Sequence, residues 1–133
     1  MREKRKLLLV DDDDIQLSIA EYMLMNEFEV ITAKSGKEAL DILDKGLVPS
    51  LILLDILMPH MDGWETYTNI RALDFLRDVP IVFLTALNEA REEKYAQEIG
   101  VVDYIIKPFA KNDLLKRVEA ILKKTYGSKT TGA

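Results

Sequence analysis

The sequence predicts an α/β fold in which a parallel β-sheet is covered by helices. Five short, mainly apolar runs alternate with longer stretches whose charged residues are spaced as on a solvated helix face. Such runs are typical of strands buried on both faces, and their alternation with helical patterns is typical of β-α-β units. Because crossovers between parallel strands are right-handed, the helices are expected on both faces of a doubly wound sheet.

The five predicted strands are the apolar runs, taken in chain order. They are LLLV (7–10), FEVITA (28–33), LILL (51–54), IVFL (81–84) and VVDYII (101–106). The third run leads directly into Asp55, and a carboxylate at the end of a buried strand needs a compensating charge. Turn residues follow it, including Pro59 and Gly63, so the chain is predicted to turn away there.

Three of the stretches outside the strands carry clear helix signals. Residues 36–46 and 110–124 place apolar side chains at helical spacing. Residues 88–100 begin at Asn88, a favourable N-cap, and stop at Gly100.

The length and composition are those of one folded domain. Of the 133 residues, 48% are hydrophobic and 31% are charged, which suits a core with a charged surface. We predict one domain over residues 1–124. Residues 125–133 are small, polar and unpatterned, and we expect them to form a flexible tail or the start of a linker.

The composition also argues against several classes of function. The net charge of −5 argues against direct binding to nucleic acid or to an anionic membrane. The absence of cysteine excludes disulfide and thiolate chemistry. No apolar run approaches the roughly 18–20 residues that span a bilayer, and the first run is too short for a signal peptide. We therefore expect a cytoplasmic protein.

Polar residues follow four of the predicted strands at the points where these strands end. Asp11–Asp14 follow the first strand, Asp55 follows the third, Thr85 the fourth and Lys107 the fifth. In an open parallel sheet, ligands bind outside the carboxyl ends of the strands. We therefore expect the carboxylates, the hydroxyl and the ammonium group to converge at one edge of the sheet.

This set of groups suits phosphoryl transfer assisted by a metal ion. Close carboxylates repel one another unless a cation lies between them, and open sites with only oxygen ligands suit Mg²⁺. A carboxylate such as Asp55 can act as a nucleophile and form an aspartyl phosphate. The charge on the transferring group requires a fixed cation, which Lys107 can supply, and the Thr85 hydroxyl can donate to a phosphoryl oxygen.

Each of these residues also has an ordinary structural interpretation. The four aspartates are typical of a helix N-cap cluster, Asp55 of a turn before a proline, and Thr85 of a cap for the helix that begins near Asn88. Their joint placement at strand ends is what favours a site. His60 is the only histidine, lies in a predicted loop, and is expected at the solvated surface.

Four motifs, LLVDDD, LILLDILMPHMDGWE, IVFLTA and DYIIKPF, occur in the order and near the spacing of a known family. Over residues 6 to about 124, the sequence resembles the response-regulator receiver domains of two-component signalling. The resemblance implies a flavodoxin-like (β/α)5 fold, a five-stranded parallel sheet with the strand order 2-1-3-4-5.

The resemblance also implies a metal site and a phosphoacceptor. By the family pattern, Mg²⁺ is bound by Asp11, Asp12 and Asp55 together with the backbone carbonyl of Leu57. Asp55 itself would receive the phosphoryl group.

Three further residues match the catalytic and switching positions of the family. Thr85 matches the switch hydroxyl, Lys107 matches the lysine that contacts the phosphoryl group, and Tyr104 matches the switch aromatic residue. Asp55, Thr85 and Lys107 would then form the catalytic set. The peptide bond between Lys107 and Pro108 is usually cis in this family.

The implied function is a switch that is controlled by phosphorylation. A sensor histidine kinase or a histidine phosphotransfer protein would donate a phosphoryl group to Asp55 with Mg²⁺ bound. Thr85 would move toward that group and Tyr104 would turn inward. The surface of helix 4, strand 5 and helix 5 would then change its preference for an unknown downstream target. The domain would catalyse only its own phosphorylation and dephosphorylation, so we do not expect an enzyme in the ordinary sense.

Two rival interpretations start from the same residues. A phosphatase of the haloacid-dehalogenase type would use Asp11 and Asp13 after the first strand, but it leaves Asp55 unexplained. Turnover of a small phosphate ester would favour that enzyme. A purely structural receiver-like domain is the other rival, and the presence of the complete set of acids, hydroxyl and lysine argues against it.

The resemblance bears on self-association as well. Asp103 and Arg117 match a charged pair through which winged-helix members of the family dimerise. Val102 and Glu93 depart from that pattern, because an acid and a base are common at their positions. We therefore expect a monomer, or a weak dimer after phosphorylation.

The lifetime of the phosphorylated state is a further expectation. Leu57 and Leu87 match two positions that flank the path of the attacking water in the family. Both side chains are apolar and cannot position water, so we expect slow loss of the phosphoryl group.

Overall fold

The computed structural model describes residues 3–127, and its centre is a sheet of five parallel strands. The strands are β1 (Lys6–Val10), β2 (Glu29–Ala33), β3 (Leu51–Leu54), β4 (Ile81–Thr85) and β5 (Asp103–Ile106). Their order across the sheet is β2-β1-β3-β4-β5, and every neighbouring pair is parallel. The expected fold class and strand order are confirmed.

Helices connect the strands and follow the last of them. They are α1 (Asp14–Leu24), α2 (Gly36–Asp44), α3 (Gly63–Arg71), α4 (Ala90–Ile99) and α5 (Lys111–Tyr126), with a short 3-10 helix at Asp74–Leu76. The first three α-helices begin with side-chain caps, because Asp13, Ser35 and Asp62 each accept a hydrogen bond from a backbone N–H of the first turn.

The strands send alternate side chains into two apolar layers. Leu8 and Ile52 lie in the layer covered by α2, α3 and α4, whereas Leu7 and Leu51 lie in the layer covered by α1 and α5. Since both faces of the sheet are covered, every residue of β3 and β4 is buried. This explains why their sequences are continuous apolar runs.

The predicted start of the fourth helix is wrong. α4 begins at Ala90, with Glu89 at the N-cap position and no side-chain cap, so Asn88 does not cap it. Thr85 does not cap it either, because its hydroxyl oxygen accepts a hydrogen bond from the N–H of Leu87 at 3.1 Å within the preceding turn. Local capping preference is therefore overridden here by the geometry of the β4–α4 connection.

The last helix runs two residues beyond its predicted end at residue 124 and stops at Tyr126. The Tyr126 hydroxyl donates to the carbonyl oxygen of Ser50 at 2.7 Å, and the guanidinium of Arg5 lies 4.7 Å from the centre of its ring. These contacts with distant segments stabilise the extra residues. Of the predicted tail, residues 128–133 lie outside the described part of the chain.

Gly63 allows α3 to begin against the end of β3. Its N–H donates to the carbonyl oxygen of Ile56 at 2.8 Å, and a Cβ atom at this position would lie 2.4 Å from the carbonyl oxygen of Asp55. Only glycine permits so close an approach of two backbone segments. The helix therefore starts directly beside the backbone of Asp55.

Two other features bear on the sequence predictions. The Lys107–Pro108 peptide is cis, as the family resemblance implies. Within residues 3–127, no helix has both the length and the apolar character needed to cross a membrane.

Candidate functional site

The ends of β1, β3 and β5 bring two acids and a lysine to one edge of the sheet. The N–H of Asp11 donates to the carbonyl of Ala33, and the N–H of Asp55 donates to that of Val10, so the sheet ladder continues into both acids. Asp11 and Asp55 are buried, with 5% and 6% of their surface exposed. The backbone of the sheet therefore fixes the two carboxylates side by side.

Lys107 lies between these carboxylates but does not share its charge equally. Its Nζ is 2.6 Å from Oδ2 of Asp11 and 3.4 Å from Oδ2 of Asp55. Burial opposes the charged form of Lys107, but the hydrogen bond to Asp11 and the charges of both carboxylates outweigh it and raise its pKa. Lys107 is therefore a fixed cation at neutral pH.

Asp55 is the less compensated member of the pair. Burial raises the pKa of its carboxyl group to about 6, with a further contribution from the negative charge of Asp11, although Lys107 acts in the opposite direction. The carboxylate that could act as a nucleophile is consequently ionised for the most part at neutral pH, and it holds a proton more readily than an exposed aspartate.

The acids at this edge fit a divalent cation. Asp11, Asp12 and Asp55 each offer one carboxylate oxygen, and these oxygens all lie within 4.8 Å of one another. Asp12 is exposed whereas the other two are buried, so the group opens toward solvent on one side. A donor set made only of oxygen, with open positions, suits Mg²⁺.

A surface pocket surrounds these groups. It is lined by Asp11, Asp12, Asp13, Gln16, Asp55, Leu57, Ala86, Lys107 and Pro108. Leu57 is 56% exposed, so its side chain lies at the surface of the pocket rather than in the core. The structure thus brings the four residues of the predicted metal site and Lys107 together around one pocket.

Of the three predicted catalytic residues, Thr85 is the one that the structure does not place in this pocket. It is fully buried and is absent from the pocket lining among the described residues. Its hydroxyl oxygen accepts from the Leu87 N–H, and its own proton is donated to no residue in the range 3–127. Leu87 is half-buried, packs against the apolar core and does not line the pocket either.

Tyr104 already points inward. It is 4% exposed, its hydroxyl donates to the carbonyl of Leu87 at 2.6 Å, and its ring packs edge-on against Phe83 with 6.1 Å between ring centres. Burial, with the nearby acidic residues of α4, raises the pKa of Tyr104 to about 12. The structure thus already holds Tyr104 in the inward position that the resemblance assigns to the phosphorylated state, with the Leu87 carbonyl as its buried acceptor.

Other residues fall as predicted or have a plain structural role. His60 is exposed and occupies a turn with a φ of 69°. Asp13 caps α1 by accepting from the N–H groups of Ile15 and Gln16, and Asp11 is paired with Lys107. These contacts do not place Asp11 and Asp13 as the two reactive acids of a phosphatase of the haloacid-dehalogenase type.

Two lining residues, Gln16 and Ala86, were missed by the sequence reasoning. Gln16 lies in the first turn of α1, and Ala86 directly follows β4. The only sequence signals are that Gln16 lies about one helical turn after the aspartates and that Ala86 lies one residue after a strand end. Such positions are too common to single out a residue.

The comparison with protein families agrees with this arrangement. The family model for the response regulator receiver domain matches residues 7–119. The chain therefore belongs to the response regulator receiver domains, which are phosphorylation-switched modules of two-component signalling.

Curated relatives match the chain along most of its length. CpxR, a transcriptional regulatory protein of Escherichia coli (strain K12), is 37% identical over 124 residues, which cover 92% of this chain and 51% of CpxR. The protein named "Probable transcriptional regulator ycf27" of Porphyra purpurea is 39% identical over 123 residues, which cover 92% of this chain and 49% of that protein. The chain thus spans about half the length of these relatives.

Solved structures show the same architecture. The chemotaxis protein CheY4 of Vibrio cholerae superposes with a TM-score of 0.83 at 28% identity, covering 89% of this chain and 98% of that one. A CheY-like receiver domain protein of Methanospirillum hungatei JF-1 gives a TM-score of 0.77 at 35% identity, covering 90% of this chain and 95% of that one.

Proposed function

We propose that Asp55 accepts a phosphoryl group from a phosphohistidine of a sensor histidine kinase or of a histidine phosphotransfer protein in the cytoplasm. A carboxylate oxygen of Asp55 would attack phosphorus, the P–N bond to the imidazole would break, and an aspartyl phosphate would form. The observation that carries the proposal is the pocket in which a buried, under-compensated Asp55 lies beside two further acids and Lys107.

The residues of the pocket have distinct roles in this proposal. Asp11, Asp12, Asp55 and the backbone carbonyl of Leu57 would hold Mg²⁺. The ion, when bound, neutralises charge on the phosphoryl oxygens. Lys107 stays within reach of the Asp55 carboxylate and would pair with a phosphoryl oxygen once that carboxylate is esterified.

The switch would act through the peptide groups of Leu87. Thr85 holds the N–H of Leu87, and Tyr104 donates to its carbonyl. If the Thr85 hydroxyl moves to donate to a phosphoryl oxygen, the Leu87 backbone must shift with it, and the hydrogen bond to Tyr104 is strained or remade. The surface of α4, β5 and α5 would then change its preference for a downstream target.

The direct test is chemical labelling of Asp55. With acetyl phosphate and Mg²⁺, the parent chain should gain one phosphoryl group, seen as a single mass increment that hydroxylamine removes. Asp55→Asn should gain none. Asp12→Ala should need much more Mg²⁺ for the same labelling, because it removes one oxygen ligand. Equal labelling of Asp55→Asn and the parent would show that the acceptor is another residue.

The surface of α1 supports a protein as phosphodonor. Ile15, Ile19 and Tyr22 lie at positions four and then three residues apart and are all exposed, so they form an apolar stripe along one side of the helix. The stripe begins beside Gln16, which lines the pocket. An exposed apolar stripe of this kind is typical of a site that packs against another protein. A donor that reaches Asp55 would cover it.

Negative charges on this stripe should slow transfer from a protein phosphodonor but not labelling by a small-molecule phosphodonor. For the pair of substitutions Ile19→Asp and Tyr22→Asp, we expect at least about tenfold slower transfer from a phosphorylated histidine-kinase core that labels the parent chain, as for loss of interface anchors. Labelling by acetyl phosphate should be unchanged, because a small donor does not touch α1.

A matched control uses an apolar residue that is exposed elsewhere. Phe75, in the 3-10 helix, is 52% exposed, and Phe75→Asp should leave both rates unchanged. Equal transfer from the kinase to the α1 variant and to the parent would exclude this surface as the donor contact.

A further inference from the structure

The pocket around Asp55 contains one side chain whose chemistry differs from all the others. Four of its nine lining residues are acids and one is Lys107, while Leu57, Ala86 and Pro108 offer only apolar side chains. Gln16 is the remaining residue, and its amide is neutral and can both donate and accept a hydrogen bond.

The backbone of Gln16 is held close to the acids. Its N–H donates to Oδ1 of Asp13 at 3.1 Å, and the N–H of Asp13 donates to Oδ1 of Asp11 at 3.0 Å. These two bonds tie the first turn of α1 to the carboxylate that also pairs with Lys107. The position of Gln16 relative to the pocket is therefore well defined.

The side chain of Gln16, in contrast, is unengaged. Its amide forms no hydrogen bond to any residue in the range 3–127, and the residue is exposed. An amide that lines a reactive pocket without a protein partner is available to a small molecule there.

We propose that the Gln16 amide holds the group that lies opposite Asp55 across the phosphorus atom. This inference rests on the proposed function, in which Asp55 is phosphorylated. In an in-line displacement, the attacking and leaving atoms lie on opposite sides of phosphorus. Both residues line the pocket, Asp55 is buried and Gln16 is exposed, so we infer that the position opposite Asp55 faces the solvent side to which Gln16 belongs.

The same position serves two reactions. During phosphorylation by acetyl phosphate, the Asp55 oxygen attacks, the bond from phosphorus to the acetate oxygen breaks, and acetate leaves through this position. During hydrolysis, a water oxygen bonds to phosphorus, the bond to the Asp55 oxygen breaks, and the water proton remains on the released inorganic phosphate. Gln16 donates to the leaving acetate oxygen in the first case and accepts from the water in the second.

The other residues of the pocket do not supply this contact. Leu57 is exposed but apolar, and Leu87 does not line the pocket. Asp13 already accepts two backbone hydrogen bonds as the cap of α1, and its negative charge would oppose an incoming phosphoryl donor.

The test compares Gln16→Met with the parent chain. Methionine has a similar length and a similar helix propensity but cannot form these hydrogen bonds. We expect the rate of phosphorylation by acetyl phosphate and the rate of hydrolysis of the aspartyl phosphate each to fall about three- to tenfold, the effect of one hydrogen bond. The affinity for Mg²⁺, measured by calorimetry on the unphosphorylated chain, should not change. Gln97→Met, at an exposed position on α4, is the matched control and should leave all three quantities unchanged.

The outcomes distinguish this inference from the function on which it rests. A parent chain that acetyl phosphate does not label would overturn both. A labelled parent whose two rates are unchanged in Gln16→Met would overturn the inference alone. A loss of Mg²⁺ affinity that accounts for the slower rates would overturn it as well, because Gln16 would then act through the metal site.

Discussion

Asp55 directly follows β3, a strand in which every residue is buried, and the charge of Lys107 partly compensates its carboxylate there. Lys107 is nearer to Asp11, at 2.6 Å, than to Asp55, at 3.4 Å. Because Lys107 is farther from Asp55, its charge does not offset the effect of burial, and the pKa of Asp55 rises to about 6 instead of falling. An incompletely neutralised acid is suited to receive a cation or to react.

The pKa of Asp55 has a consequence for stability in buffer without divalent metal. The folded state binds the proton of Asp55 more tightly than the unfolded state, in which the pKa has its ordinary value of 3.8. The contribution of Asp55 to the free energy of unfolding therefore falls as the pH rises from about 4 to about 6 and is constant above. Asp55→Asn removes this penalty. We expect its stability relative to the parent to rise over the same range, by on the order of 2–3 kcal/mol.

Urea denaturation in EDTA from pH 4 to pH 8 would measure this difference. Asp44→Asn, which removes an exposed carboxylate at the end of α2, controls for the change in net charge. A relative stability of Asp55→Asn that fell with rising pH would mean that folding lowers the pKa of Asp55.

At the scale of the elements, the start of α3 is pressed against the end of β3. Asp62 caps α3, and Gly63 donates to the carbonyl of Ile56. A Cβ atom on Gly63 would lie 2.4 Å from the carbonyl oxygen of Asp55, so the first turn of the helix is in direct contact with the backbone of Asp55. The geometry at the reactive carboxylate therefore depends on a glycine that takes no part in the chemistry.

Gly63→Ala should show this dependence. Alanine normally favours a helix, but here its Cβ would meet backbone atoms 2.4 Å and 2.6 Å away in Asp55 and Ile56, which cannot move aside. We expect a loss of about 3 kcal/mol or more in the free energy of unfolding, as for severe overpacking. Labelling of Asp55 by acetyl phosphate should also be slower.

Thr68→Ala, an exposed change on the same helix, adds no atoms and serves as the control in both measurements. If Gly63→Ala were as stable as the parent, the close approach of α3 to β3 would not be a constraint on the site.

At the scale of the whole molecule, Asp103 and Arg117, which match a charged dimer pair of winged-helix family members, already pair with each other within one chain. Arg117 donates to both carboxylate oxygens of Asp103, at 2.9 and 2.8 Å. The guanidinium of Arg117 also lies 3.7 Å from Asp113. A partner chain would have to break or share a bidentate pair to use these residues.

We therefore predict a monomer before activation, with at most a weak dimer after it. Sedimentation velocity at micromolar concentration, without and with beryllofluoride and Mg²⁺, is the measurement. Arg117→Ala removes one member of the pair, so it should weaken any dimer of the activated chain that depends on Asp103 and Arg117. A tight dimer of the parent before activation would contradict the prediction.

Much of the fold and of the candidate site could be read from residue type and spacing. The apolar runs predicted the strands because strands buried on both faces need continuous apolar sequence. Asp11, Asp55 and Lys107 converge because parallel strands end at the same edge, so residues that follow each strand are neighbours in space. No tertiary information was needed for either inference.

Other features depended on contacts between segments far apart in the chain. The Nζ atom of Lys107 is 2.6 Å from Asp11 and 3.4 Å from Asp55, and this small difference contributes to the pKa of Asp55. Tyr104 is inward because the Leu87 carbonyl happens to be within reach of its hydroxyl. Thr85 does not line the pocket, because in the turn after β4 its hydroxyl oxygen is hydrogen-bonded to the N–H of Leu87.

The sequence by itself determined the class of fold, the edge at which the reactive groups gather and the family to which the chain belongs. Only the tertiary structure decided where α4 begins, how far α5 runs, and that Gln16 lines the pocket. The physical reason is that buried strands and their ends leave a local pattern in the sequence. A helix cap, a helix end or an unengaged amide depends instead on which group from elsewhere in the chain lies within about 3 Å.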